Sequence, residues 1–330
     1  MNSTIKDLAR TTGLNISTVS RALNGQTGVS EQTRRKILSV ARRMNYQRNT
    51  LASSLITKRT KTIGLILADI RNPFSAELAR GVEDAAFGAD YEVIFCNSDL
   101  DPDKELRYVR SLIEKRVDGM LINCVADGTF KLRQNIPVVF FNRPVRRRDI
   151  SEVTADNYEG GLLAAQHLIE LGHTRIAHLT GGRSHLNLGE RCRGFIKALR
   201  AAGLKPVAIL RGPHSYRGGY ELCVQLLRRS GKRPTALFCG NDFMAIGAMR
   251  ALREAQLNVP EDVAIVGFDD IEIAEMLATP LTTVYQPKYE MGQAAVRILL
   301  RHLAERDAFR PEHVVLPTRL VVRASTNARK

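Results

Sequence analysis

The sequence predicts an α/β chain in two parts: a small helix-turn-helix head at the N-terminus and, behind it, a larger two-lobed body built on parallel sheets. Three observations carry this. Apolar residues recur at helical spacing in three short segments before residue 47, with no strand-like run among them. From Thr62 onward, continuous apolar runs alternate with amphipathic helical segments, the pattern of parallel strands covered on both faces. The length of 330 residues and the apolar content of 44% provide for more than one core, and the strand-like runs exceed what one sheet holds comfortably.

In the head, Thr4 followed by Asp7 has the spacing of a capping box, Ile5, Leu8 and Ala9 continue at helical spacing, and Gly13 makes the turn. Asn15 is placed to cap the next helix and Asn24-Gly25 to stop it in a left-handed conformation, so Asn15 to Gly25 is only about two to three turns long. Ile16, Val19 and Leu23 give this helix a narrow apolar stripe, while Ser17, Arg21 and Asn24 share another side that is free to meet a polar partner. A third helix starts at Ser30, with Ile37, Val40, Ala41 and Met44 inward and Arg34, Arg35, Lys36, Arg42 and Arg43 mostly outward. Two short amphipathic helices joined by a tight glycine turn are a helix-turn-helix signature, suited to lie in a DNA groove.

Charge supports that reading. Residues 1–60 hold 11 Lys+Arg against 2 Asp+Glu, a local +9 of the chain's +15, and the other 270 residues hold 38 against 32. Cationic charge concentrated in one module favours a polyanion through counterion release. The next stretch, Gln47 to Lys61, is polar, Ser/Thr-rich and basic. A two-turn helix is marginal in water, so residues 49–55 are expected to order only with DNA and a second subunit.

In the body, the strand-like runs are TIGLILAD, YEVIFCN, VDGMLIN, PVVFFN, RIAHLT, PVAIL, TALFCG and VAIVGF. Parallel sheets bring ligand-binding groups together beyond the carboxyl ends of their strands. Those ends carry Asp69 and the loop to Phe74, Asn142-Arg143, Asn241-Asp242 and Asp269-Asp270. Arg143 and Arg191 can fork to a carboxylate, a phosphate or a vicinal diol, Asp269 can accept two hydroxyls, Asn241 can donate and accept, and Phe74 can cover an apolar ring face.

Several classes are excluded. Cys96, Cys124, Cys192, Cys223 and Cys239 form no C-x-x-C pair and read as reduced, mostly buried thiols. No N-terminal apolar h-region and no membrane-length apolar run occurs, so a cytoplasmic location without a membrane partner is expected. No phosphate-binding or dinucleotide glycine motif follows a strand, and the histidines lack metal spacing, so neither cofactor nor metal is expected. Asp269-Asp270 could serve acid-base chemistry, but no nucleophile accompanies them, which argues against an enzyme. The rival readings are a solute-binding receptor or a sugar-acting enzyme on the same body without DNA function.

The stretch TIKDLARTTGLNISTVSRALNG resembles the N-terminal signature of the LacI/GalR (lactose-repressor) family of bacterial transcription regulators, and the likeness continues over essentially the whole chain. The resemblance implies DNA contacts from Ile16, Ser17, Thr18, Arg21 and Asn24, with base reading by Ile16, Ser17 and Arg21, and a minor-groove wedge at Leu55. The chain departs from the family where Arg48 replaces the usual proline and where Ala52-Ser53-Ser54-Leu55 replaces an Ala-Arg-Ser-Leu run, which puts the start of the hinge helix and one groove contact in question. The implied body is a periplasmic-binding-protein-like fold with crossovers near Asn157, Tyr285 and Pro317. The expected organisation is a head at 1–47, a hinge at 48–61 and an effector and dimerisation body at 62–330. Lobe 1 then spans about 62–157 and 286–317, and lobe 2 about 158–285 and 318–330.

The family's effector positions correspond to Phe74, Arg143, His185, Arg191, His214, Asn241 and Asp269. Two arginines with one or two histidines tilt the expected carbohydrate-derived ligand toward a sugar acid or sugar phosphate over a neutral sugar. The expected assembly is a homodimer on a near-palindromic double-stranded DNA operator, with Tyr289 to Leu303 and the first lobe helix offering the subunit contact. No leucine-heptad tail follows, so the coiled-coil route to a tetramer is not expected.

Overall fold

The structure, a computed structural model, describes residues 3–23, 25, 27–46, 59–123, 136–142, 149–182, 186–229, 231 and 233–327. It divides into two compact units, Met1–Thr60 and Lys61–Lys330. The expectations for Asn24, for the hinge with Arg48 and Leu55, and for Arg143 and His185 lie outside the described residues.

Among the described residues the first unit holds three helices: α1 (Ile5–Thr12), α2 (Ile16–Leu23) and α3 (Glu31–Arg43). Thr4 and Asp7 close the capping box: Thr4 Oγ1 accepts from the Asp7 N–H, and Asp7 Oδ2 accepts from the Thr4 N–H at 3.0 Å. Gly13 ends α1 at φ 71°, which an L side chain adopts only with strain. Ser30 caps α3 by accepting from the Thr33 N–H. Leu8, Ala9, Val19, Ala22, Ile37, Val40 and Ala41 make the shared core.

Among the described residues the second unit holds twelve strands in two six-stranded sheets. The chain runs β1 (Thr62–Leu67), α4 (Pro73–Phe87), β2 (Glu92–Asn97), α5 (Pro102–Glu114), β3 (Gly119–Ile122), β4 (Val138–Phe141) and β5 (Ser151–Ala155). It continues with α6 (Asn157–Glu170), β6 (Ile176–Gly181), α7 (Leu186–Ala201), β7 (Ala208–Gly212), α8 (Tyr216–Leu227), β8 (Ala236–Cys239), α9 (Asp242–Glu254) and β9 (Ala264–Asp269). Last come α10 (Ile273–Met276), β10 (Thr282–Tyr285), α11 (Lys288–Glu305), β11 (His313–Leu316) and β12 (Arg319–Val321).

The first sheet has the order β11-β5-β4-β3-β1-β2 and the second β12-β10-β9-β8-β6-β7. All pairings are parallel except β10 with β12, where the chain doubles back. Four strands escape the sequence pattern: β5, β10, β11 and β12 are short and mix polar with apolar residues, so no continuous apolar run marks them. Central strands such as β1, β3, β8 and β9 are buried along nearly their whole length, as strands covered on both faces must be.

Helices α4 and α11 pack backbone to backbone in lobe 1, because a Cβ on Gly81 would overlap the Tyr289 carbonyl and one on Gly292 the Leu78 carbonyl. This corrects one expectation. The apolar face of α11, with Met291, Ala295, Val296, Ile298 and Leu299, is consumed inside its own lobe and is not open to a second subunit. Helices α6 and α7 meet as closely in lobe 2, where Gly161 lies against the Arg191 carbonyl. Among the described residues no helix is long and apolar enough to cross a membrane.

Candidate functional site: a helical reading surface and an interlobe cleft

On the head, α2 turns Ile16, Ser17 and Arg21 outward, with Thr18 half-buried beside them. The expected stripe Ile16-Val19-Leu23 is corrected to Val19-Ala22-Leu23. Ile16 is the first residue of the helix, 46% exposed, and contributes nothing to the head's core. An exposed, β-branched apolar side chain beside Ser17 and Arg21 does nothing for the fold and is available to a partner.

In the body, the segments that leave the carboxyl ends of both sheets wall one cleft of ≈ 460 Å³. Lobe 1 supplies Ala68, Asp69, Arg71, Asn72, Phe74 and Ser75 after β1, Leu100 after β2, Asn123 after β3 and Asn142 after β4. Lobe 2 supplies Asn187 and Arg191 on α7, His214 to Arg217 after β7, Phe243 on α9 and Asp269 at the end of β9, and Gln286 enters after β10.

The structure therefore brings Phe74, Arg191, His214 and Asp269 to one wall. Asn241 is not on it: its Oδ1 accepts from the Met244 N–H at 2.8 Å as the cap of α9, and the side chain is fully buried. The helix start needed an acceptor there, and Phe243, two residues on, faces the cleft instead. Asn123, Gln286 and Arg71 went unnoticed in the sequence. The first follows a strand that was legible, Gln286 follows one that was not, and Arg71 lay unremarked in the loop between Asp69 and Phe74.

Charge in the cleft is organised around Arg191, 1% exposed. Its Nε donates to Asn157 Oδ1 at 2.8 Å, its Nη1 donates to the Gly240 carbonyl at 2.5 Å and lies 3.6 Å from Asp269 Oδ1, and its guanidinium stacks 3.6 Å from the Phe268 ring centre. Burial lowers its pKa to about 10, against the pull of Asp269, so it keeps its charge at neutral pH. Asp269 also accepts from Gln286 Nε2 at 2.6 Å. Burial raises the Asp269 carboxyl above its ordinary range, opposed by Arg191 and Lys288. Asp242, behind it, is raised by burial and by the Asp269 charge; its Oδ1 accepts from the Thr283 hydroxyl at 2.6 Å and its Oδ2 from the Ile271 N–H at 2.9 Å. At the mouth, Asp69 holds Arg71 through two bonds of 2.9 Å, and Arg217 pairs with Glu221 at 2.7 Å.

Two buried acceptors on the wall, Asn142 Oδ1 and Gln286 Oε1, have no hydrogen-bond partner among the described residues. Buried acceptors of this kind call for donors from a bound molecule or from water. No group of His, Cys, Asp and Glu among the described residues is placed to hold a metal ion.

Fold and site define a class: a three-helix DNA-reading head on one chain with a two-lobed body that encloses a polar cleft. Comparison with known proteins agrees. The family described as bacterial regulatory proteins, lacI family, matches residues 4–49, and a periplasmic binding protein-like domain matches residues 165–326. Catabolite control protein A of Priestia megaterium is 37% identical over 334 residues, covering 99% of this chain and 100% of that protein. The lac repressor dimer bound to operator and the anti-inducer ONPF superposes with a TM-score of 0.89 at 29% identity over 99% of this chain and 100% of that one. The transcriptional regulator CelR in complex with cellobiose matches with a TM-score of 0.74 at 31% identity over 98% and 100%. This chain belongs to the LacI family of bacterial regulatory proteins. It is a DNA-binding transcriptional regulator and not an enzyme.

Proposed function

We propose that this chain is a cytoplasmic, homodimeric repressor whose grip on a near-palindromic operator is switched by a small carbohydrate held in the interlobe cleft. The observation that carries the reading is the cleft itself: one wall drawn from the strand ends of both lobes, with a buried arginine–carboxylate pair, an aromatic face and two acceptors that have no partner among the described residues. A ligand touching both lobes changes their relative preference, and the heads of a dimer read that change as altered half-site spacing. The cellobiose complex of CelR and the operator complex of the lac repressor support the two halves of the proposal.

In the head, Ile16, Ser17, Thr18 and Arg21 are the proposed DNA contacts, with Arg21 forking to a guanine. Replacing Arg21 by alanine should relax preference at one base pair per half-site in a binding-site selection. Uniform weakening on all sequences would reduce Arg21 to a phosphate contact. For the subunit contact, the exposed Phe87, Phe95 and Ile70 of lobe 1 and Met276 of lobe 2 offer the apolar surface that α11 does not.

For the ligand, we propose a neutral, hydroxyl-rich sugar. The described wall arginines Arg71, Arg191 and Arg217 already face Asp69, Asp269 and Glu221, whereas Asn142 Oδ1 and Gln286 Oε1 meet no donor among the described residues. A thermal-shift panel of neutral sugars, sugar acids and sugar phosphates, followed by gel shift on the chain's own upstream DNA, tests this. Stabilisation by anionic members alone would overturn the neutral assignment, and indifference of DNA binding to every ligand that binds would overturn the switch.

A further inference from the structure

The turn that ends β9 holds two consecutive non-glycine residues at positive φ, Asp269 at 121° and Asp270 at 52°. Such a pair persists only where its surroundings hold it. One fixed point is Lys288, the first residue of α11, whose side chain is 1% exposed. Its ammonium donates to the Asp269 carbonyl at 2.8 Å and to the Asp270 carbonyl at 3.0 Å. Glu77 Oε2 on α4 lies 3.6 Å away, and the Tyr285 ring centre 5.0 Å. The two carbonyls sit at the end of β9 in the second sheet and on the residue after it, whereas α11 and α4 pack on the first sheet. One buried ammonium thus ties the lobes together behind the carboxylate that faces the cleft. Arg323 secures the same turn within lobe 2, through Asp270 Oδ1 at 2.7 Å, and does not cross between lobes.

We propose that Lys288 is a positioning residue: it holds the strained Asp269-Asp270 turn against lobe 1, with Glu77 as its countercharge, and so fixes the angle between the lobes and the direction of the cleft carboxylate. Its importance for regulation rests on the cleft being the effector site; its mechanical role does not. An ammonium has three donors on one compact centre, which two carbonyls and one carboxylate can share, and a neutral side chain of the same length has none.

The test measures the distance between nitroxide labels on Arg110→Cys of α5 and Arg200→Cys of α7, both exposed positions, in the full chain without added ligand, co-assembled with excess unlabelled chain so that a dimer carries one labelled pair. The native Cys96, Cys192, Cys223 and Cys239 are buried, and Cys124 is replaced by serine. The parent is expected to give one narrow interlobe distribution, Lys288→Met a distribution at least about twofold broader, and Glu77→Gln a smaller broadening in the same direction. Lys288→Arg keeps the charge on a bulkier, planar group and should broaden the distribution less than Lys288→Met. An unchanged distribution in folded Lys288→Met, or equal broadening in the Met and Arg variants, overturns the proposal. Should Lys288→Met fail to fold by circular dichroism, the Glu77→Gln distribution decides, and no broadening there overturns it. Because no ligand is added, a protein that binds none of the sugars above would sink the cleft reading and leave this one standing.

Discussion

Replacing Arg191 by methionine tests whether the buried ion cluster behind the cleft is held by charge. The guanidinium makes two hydrogen bonds, stacks on Phe268 and faces Asp269 at 3.6 Å, all out of water. Methionine keeps much of the volume and can still lie on the ring, so packing is largely conserved and the loss is electrostatic. Removing one partner of a buried ion pair costs about 3–5 kcal/mol, because the other charge stays buried. Asp269 can escape part of that by taking up a proton. Its carboxyl is already raised by burial, and without Arg191 it rises further. An acid whose folded pKa lies above its unfolded value binds more protons in the native state, so stability falls as pH rises between those two values. The destabilisation should therefore be largest, about 3–5 kcal/mol, near pH 8 and shrink toward about pH 5.5, by at most about 1.4 kcal/mol per pH unit. The chain has no tryptophan, so urea unfolding is followed by far-ultraviolet circular dichroism at both pH values. A loss under about 1 kcal/mol near pH 8, or one equal at both pH values, would refute the electrostatic argument.

Asp242→Asn should act in the opposite direction. The carboxyl is pushed up by burial and by Asp269, so its charge costs stability as pH rises, and the amide can keep both bonds by accepting from Ile271 and donating to Thr283. Calorimetry should show a higher Tm near pH 8 and a flatter pH dependence, and a lower Tm there counts against the reasoning. Gly161→Ala should cost about 1–3 kcal/mol, since its Cβ would drive α6 into the Arg191 carbonyl, whereas Gly189→Ala on α7, with open space around it, should stabilise by about 0.4–1 kcal/mol. Equal Tm shifts for the two would show that the helix contact is not close. In the head, Leu8→Ala should cost about 2–5 kcal/mol and Ile16→Ala less than about 0.5 kcal/mol, yet only the second should weaken operator binding in a protein of parental stability.

The head was legible because its signals are local: a capping box, a left-handed glycine and apolar residues at 3.6-residue spacing act within one or two turns. The central strands were legible too, since a strand covered on both faces must be apolar along its length, and their ends gave Asp69, Asn142 and Asp269 in advance. The edge strands β11 and β12, and the polar β5 and β10, were not, because a short strand is stabilised by the partner it pairs with and carries little pattern of its own. Only the tertiary structure decided which strands share a sheet, and with that which loops meet in the cleft. It also decided between uses that residue type leaves open. Asn241 became a helix cap, Ile16 faced outward, the face of α11 was spent inside its lobe, and Lys288, which the sequence reading passed over, became the link between lobes. The last two depend on groups about 200 positions apart, and such contacts leave no periodic trace in the chain, whereas the cap at Asn241 and the exposure of Ile16 are settled at the first turn of a helix, whose exact start residue type leaves open.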